Sequence, residues 1–200
     1  MIAQGLPLGT FFTYQYAGKN EDGVSQYLDA DGNPTTTPAI KKDYHSVGNA
    51  QPKLLLGWSN NFQYKNFDLS FFFRGVFGNK IMNVTRADLF RPSTAMMNNI
   101  PVEAADESVT DTNSYRYSSR FIESGSYLRL DNATLGYNFK KLGEDIKRLR
   151  LYVGANNLFV ITNYSGIDPE INQGGLAPGV DARNFYPKTR TFLIGLNASF

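Results

Sequence analysis

Apolar and polar residues take turns along several stretches of this chain, with the period of two that belongs to strands whose faces meet unlike surroundings. In residues 188–200, Phe192, Ile194, Leu196, Ala198 and Phe200 share one face, while Thr191, Leu193, Gly195, Asn197 and Ser199 share the other. Residues 54–65 place Leu54, Leu56, Trp58, Phe62 and Tyr64 on one side with Asn60, opposite Gly57, Ser59, Asn61, Gln63 and Lys65. After Lys65 and Asn66 the alternation resumes over 67–78. There Phe67, Leu69, Phe71, Phe73, Gly75 and Phe77 oppose Asp68, Ser70, Phe72, Arg74, Val76 and Gly78. The two stretches predict a tight hairpin whose register is fixed by its apolar face. Residues 126–139 form another strand, in which the apolar parity changes from Leu128 and Leu130 to Leu135, Tyr137 and Phe139, the signature of a β-bulge. Residues 149–162 carry Leu149, Leu151, Val153, Ala155, Phe159 and Ile161 on one face, interrupted by Asn157. With residues 8–18 as a first strand, about six strands are predicted, each near the ~9–11 residues that cross a bilayer at a tilt.

The connections alternate in length. Residues 19–53, 79–118 and 163–186 are long and polar, whereas Lys65-Asn66 and 140–148 are short. Outer-membrane barrels have short turns on the periplasmic side and long loops outside, so this order predicts a barrel wall with its C-terminus toward the periplasm. The consecutive Phe71, Phe72 and Phe73 put aromatics on both faces at one level, as the aromatic girdles of a membrane strand do. Arg74 then faces the lumen, and Trp58 and Tyr64 are interface anchors, with sugar stacking as their other reading. The competing fold is a soluble, secreted β-sandwich that buries these aromatics as its core and binds carbohydrate through Trp58 and tyrosines. A third reading is a small complete barrel formed by oligomerisation.

Composition narrows this picture. The 200 residues include 12 Tyr and 15 Phe, yet the mean hydropathy is −0.35, which is what alternating faces produce. No stretch approaches the ~18 uninterrupted apolar residues of a membrane helix, so spanning must be by strands. A net charge of +2 with dispersed Lys and Arg offers no basic stripe, which speaks against nucleic acid as a partner. The absence of cysteine excludes disulfides and thiolate-held zinc. Residues 1–9 lack the basic start and apolar run of a secretory signal.

Four ordered blocks carry a family resemblance: FDLSFFFRGVFGNKIMN (67–83), RFIESGSYLRLDNATLGYNF (120–139), LRLYVGANNLFVITNYSGIDPEIN (149–172) and YPKTRTFLIGLNASF (186–200). They resemble the C-terminal part of the SusC/RagA family of TonB-linked outer-membrane proteins, over most of residues 5–200. The resemblance implies an all-β, antiparallel transmembrane β-barrel segment of about six strands, incomplete as a barrel on its own. Residues 1–200 would be the C-terminal portion of a receptor in a Gram-negative outer membrane, without signal peptide, TonB-contacting segment, plug or earlier strands. Such a receptor imports a glycan or peptide substrate with a SusD-like surface lipoprotein, drawing energy from the TonB complex through the plug; it is not an enzyme and needs no cofactor. Gly195, Ala198 and Phe200 sit where barrel proteins carry the C-terminal signal read by the assembly machinery. Ala198 is smaller than that signal prefers, and Leu193 replaces its usual polar residue. The ending reads as a natural C-terminus, with the truncation at the other end of the chain.

Candidates for chemistry are few. His45 is the only histidine, with Asp43 two residues away and no G-x-S-x-G in the chain, which reads as a solvated loop histidine. The pairs Asp168/Glu170 and Asp106/Glu107 offer carboxylates for glycoside hydrolysis, but in long loops they read as solvated charge. Residues Asp29-Ala30-Asp31-Gly32-Asn33 start like a calcium loop and fail at Pro34 and Ile40, leaving a surface turn. Gly174, Gly175 and Gly179 lack the lysine of a phosphate loop and read as flexible loop. The sequons at Asn132 and Asn197 fall within strands. Substrate or lipoprotein contacts are expected in 79–118 and 163–186, at no single residue.

Overall fold

The computed structural model describes residues 4–140, 145–171, 177–182 and 186–200. Five strands precede the first long hairpin: β1 (Thr10–Tyr14), β2 (Tyr16–Lys19), β3 (Ser25–Leu28), β4 (Pro34–Thr35) and β5 (Tyr44–Asn49). The hairpin is β6 (Leu54–Tyr64) and β7 (Phe67–Phe77), followed by β8 (Lys80–Asn83), helix α1 (Val84–Leu89) and β9 (Ile122–Ser124). The chain continues through β10 (Tyr127–Phe139), β11 (Arg148–Thr162), β12 (Val180–Asp181) and β13 (Thr191–Ser199). It divides into two compact units: Lys53–Phe77, Ser126–Thr162 and Pro187–Phe200 form a sheet unit, and Met1–Pro52, Gly78–Gly125 and Asn163–Tyr186 form a second, here called the loop unit.

The sheet unit is a five-stranded antiparallel meander in the order β6-β7-β10-β11-β13. Its register lines up the apolar positions read from the sequence. Trp58 lies opposite Phe73, Phe62 opposite Leu69, Leu135 opposite both Leu69 and Val153, and Val153 opposite Ile194. The change of parity in β10 is a bulge at Asp131, which both neighbouring ladders skip between Leu130 and Asn132. One extra residue there shifts the phase, so Leu130 and Ala133 stay on the apolar face. β11 answers with its own irregularity, where Asn157 adopts a left-handed φ of 52°.

The apolar face is exposed. Phe192, Ile194, Leu196, Trp58, Phe62 and Val153 all lie open along it, where a β-sandwich would bury them against a second sheet. That sets the sandwich reading aside. Strands β6, β7, β10, β11 and β13 have 11, 11, 13, 15 and 9 residues, long enough to cross a bilayer. No helix among the described residues is long and apolar enough to do so. Strand ends that lead to the long segments meet at one end of the sheet, where Leu54 faces Phe77 and Tyr127 faces Val76 and Thr162. The short connections lie at the other, where Tyr64 faces Phe67 and Phe139 faces Leu149. β6 and β13 are the sheet's edges among the described residues, so the sheet does not close.

The expected strand over 8–18 is not part of this sheet. It breaks at Gln15 into β1, paired with β5, and β2, paired with β3. Adjacent Phe11 and Phe12 deny it a single apolar face: Phe11 joins the core of the loop unit, while Phe12 packs edge-on against Tyr44 at 6.0 Å. The long segments are not simple loops either. They fold into a unit with a core of Met82, Ala87, Phe90, Ala104 and Phe121, in which the rings of Phe90 and Phe121 meet edge-on at 5.5 Å. The same unit holds three small sheets, β1-β5, β2-β3-β4 and β12-β8-β9, the β12–β8 pair being parallel.

Candidate functional site

The polar face of the sheet carries a ladder of paired charges. Arg150 grips Asp68 through Nε at 3.0 Å and Nη2 at 2.5 Å, and Asn138 donates to the same carboxylate at 2.6 Å. Gly136 leaves room for this pair, because a Cβ there would fall 2.6 Å from Arg150 Nε and 2.6 Å from Asp68 Oδ2. Toward the long-segment end, Arg74 Nε donates to Asp131 at 2.6 Å and Arg74 Nη1 to the Tyr127 hydroxyl at 2.9 Å. The bulge is what turns Asp131 toward Arg74. The Arg74 position on the polar face is as expected from its parity. Arg129, buried, donates to the Asn157 side chain, and Asn157 Nδ2 in turn donates to the carbonyls of Lys188 and Thr189 at 3.0 and 3.2 Å. A left-handed asparagine thereby ties β11 to the chain that enters β13.

The loop unit is held by polar contacts between segments distant in sequence. Glu123 accepts from Asn83 Nδ2 at 3.1 Å, from Arg86 Nη1 at 3.3 Å and from Ser165 N and Oγ, both at 2.8 Å. Arg86 spends its fork on Glu103, with Nε and Nη2 each 2.5 Å from a carboxylate oxygen. This bidentate pairing holds the Glu103 carboxyl below its usual range and raises the guanidinium. Asn83 also caps α1, its Oδ1 accepting from Arg86 N at 2.8 Å. Asp181 takes the Tyr164 hydroxyl at 2.5 Å, and burial, followed by this carboxylate, pushes the phenol up. A cleft of about 430 Å³ opens on the network, lined by Arg86, Glu103 and Asp181 and by the aliphatic Leu89, Pro101 and Ile167. A second cavity, of about 240 Å³, lies in the sheet unit, lined by Asn138, Arg148, Arg150, Asn197, Ala198 and Ser199.

Several sequence expectations change here. His45 belongs to β5 and is half-buried, its Nε2 3.0 Å from the Asp29 carbonyl, so it is not a solvated loop residue. Glu107 is not solvated charge: Lys19 and Arg120 hold it at 2.7 and 2.5 Å, and its side chain is 7% exposed. Burial pushes its carboxyl up, and the two cations outweigh that and leave it lowered. Asp168 is buried too, accepting from Glu170 N at 2.9 Å. Residues 29–33 form the expected turn, with Asp29 Oδ1 accepting from Asp31 N at 2.9 Å and Asn33 N at 2.8 Å. Gly174 and Gly175 lie outside the described residues. Trp58 is exposed on the apolar face and stacks on Phe73, and Tyr64 is exposed at the hairpin end. The Arg86–Glu103–Glu123 network escaped sequence reading, because its members lie far apart in the chain and follow no period.

No family model matches the chain. The TonB-dependent receptor P3 of Formosa agariphila is 32% identical, aligned to 100% of this chain and 23% of its own length. The TonB-dependent receptor SusC of Bacteroides thetaiotaomicron is 33% identical over 98% of this chain and 20% of its own length. Among solved structures, the RagAB peptide importer in its open-open state superposes with a TM-score of 0.76 over 96% of this chain and 22% of the matched chain, at 22% identity. The chain thus spans between a fifth and a quarter of the curated relatives named here.

Proposed function

We propose that the chain, 32–33% identical along nearly its whole length to TonB-dependent receptors, is the C-terminal part of a nutrient importer of the SusC/RagA type in a Gram-negative outer membrane. Residues 1–200 supply five strands of the barrel wall, and the long segments reach the outer surface. The observation that carries this reading is the two-faced sheet: apolar residues open on one side, paired polar side chains on the other, and long segments leaving from one end only. The polar face lines the lumen. Substrate, a glycan or a peptide, passes along it after capture by the loop unit and a SusD-like surface lipoprotein. Energy comes from the TonB complex through a plug domain encoded elsewhere in the same receptor.

Strand β13 also supports an assembly role for Gly195, Ala198 and Phe200. Ala198 faces the apolar side opposite Leu149, and Phe200 is exposed. Gly195 lies opposite Tyr152, whose ring occupies the space a side chain would need, 2.2 Å from a Cβ built there. Replacing Phe200 with Asp is expected to lower the amount of receptor in the outer membrane without lowering its synthesis. The importer reading is tested by uptake of labelled oligosaccharides and peptides in cells that depend on the receptor carrying this chain. Uptake of one class should stop when TonB is disabled, and uptake that continues unchanged contradicts the proposal.

A further inference from the structure

The lining of the loop-unit cleft is selective in a way that narrows the substrate, and we infer that it takes a cationic side chain, lysine or arginine, of a peptide. This inference rests on the importer reading above. Among the described lining residues the apolar contribution is aliphatic, from Leu89, Pro101 and Ile167, with no aromatic ring. A sugar offers its C–H faces to flat rings such as Trp and Tyr, whereas the methylene stem of a lysine packs along aliphatic surface and keeps its charged end in a polar setting. The cleft pairs these two surroundings within about 430 Å³, in the range of ligand pockets of about 300–1,000 Å³.

The charges set the sign of the occupant. Arg86 is the one cation among the described lining residues, against the carboxylates of Glu103 and Asp181, and it also meets Glu123, which holds Asn83 and Ser165 as well. The balance is negative. Glu103 is also accessible, its side chain 44% exposed. Each of its oxygens accepts one bond from Arg86, and a carboxylate oxygen has a second acceptor direction. An incoming ammonium or guanidinium can share Glu103 with Arg86, while an incoming carboxylate meets like charge.

The test uses the detergent-solubilised receptor carrying this chain and three labelled pentapeptides that differ only at the central residue: lysine, norleucine or glutamate. Lysine should bind about fivefold more tightly than norleucine, the gain of a partly exposed ion pair, and glutamate should bind least. Glu103→Gln should bring lysine and norleucine to nearly equal affinity. Ile167→Asn leaves the Arg86 network intact and should weaken both equally, which keeps the test meaningful if Glu103→Gln disturbs folding. Equal affinity for lysine and norleucine in the unaltered receptor overturns the inference, as does a preference for lysine that survives Glu103→Gln. Cells that import all three peptides without preference overturn the cleft assignment alone, whereas cells that import neither peptide nor glycan overturn the importer reading beneath it.

Discussion

The two units of this chain solve the problem of apolar surface in opposite ways. In the loop unit Phe90, Phe121, Ala87 and Ala104 are completely buried, and sequestered carboxylates are held by cations, as Glu107 is by Lys19 and Arg120, or by hydrogen bonds, as Asp111 is by Ser25 and Asp181 by Tyr164. In the sheet unit large apolar residues stand outside, with Ile194 89% and Phe192 71% exposed, while the opposite face pairs Arg150 with Asp68 and Arg74 with Asp131. A water-soluble protein rarely leaves so extended an apolar face uncovered. The contrast therefore reports the solvent: water around one unit, hydrocarbon against the other. In the sheet unit, pairing on both sides satisfies the backbone of the inner strands β7, β10 and β11, as lipid demands of a spanning segment.

Substitutions can break this contrast. The largest effect is expected from Phe90→Ala, which leaves a cavity in a filled core and should cost about 3–5 kcal/mol. Faster proteolysis of the long segments would register it. Phe192→Ala in the sheet should cost distinctly less, because lipid refills the vacated space. Next comes charge on the apolar face. Val153→Arg should destabilise bilayer insertion by about 2–4 kcal/mol near mid-membrane, whereas Ser70→Arg on the polar face should leave insertion almost unchanged. Urea titration of the receptor refolded into vesicles compares the two, and equal costs would erase the distinction between faces.

Acidification sharpens the contrast from the other side. The folded carboxyls of Glu107 and Glu103 lie below their ordinary value. Their contribution is therefore complete at neutral pH and is lost as the pH falls below about 4.3 and through the folded value. The loop unit should loosen in that range, seen as new protease cuts in the long segments. Glu107→Gln should weaken it at pH 7 and flatten the acid response. The smallest effect is expected from Tyr164→Phe, which removes one hydrogen bond to Asp181 and should cost the loop unit about 1 kcal/mol.

Much of the sheet was legible in the residues themselves. A strand between two unlike solvents must alternate, so 54–65, 67–78, 126–139 and 149–162 announced their extents and faces, and the parity change after Leu130 announced the bulge. The stretch 8–18 alternates in part and so predicts a span, whereas the partners of its Tyr14, namely Tyr27 and Tyr44, are settled by tertiary packing. The same limit hid the candidate site. Nothing local to Glu107 points to Lys19, and nothing local to Glu123 points to Ser165; only the folded chain brings them together. In a polar segment, an acid with no partner visible in the local sequence predicts solvated charge, because that is the usual fate of such an acid.

The most direct test of the two-solvent account is a cysteine scan of β10 in the receptor carrying this chain, embedded in vesicles, since the chain has no cysteine of its own. Each position from Tyr127 to Tyr137 is labelled with a fluorophore and challenged with a lipid-soluble and a water-soluble quencher. The account predicts lipid quenching at Leu128, Leu130, Ala133, Leu135 and Tyr137, and aqueous quenching or protection from both quenchers at Tyr127, Arg129, Asn132, Thr134 and Gly136, with the phase jumping at Asp131. Uniform aqueous quenching along the strand, or alternation that runs through Asp131 without a change of phase, would contradict it.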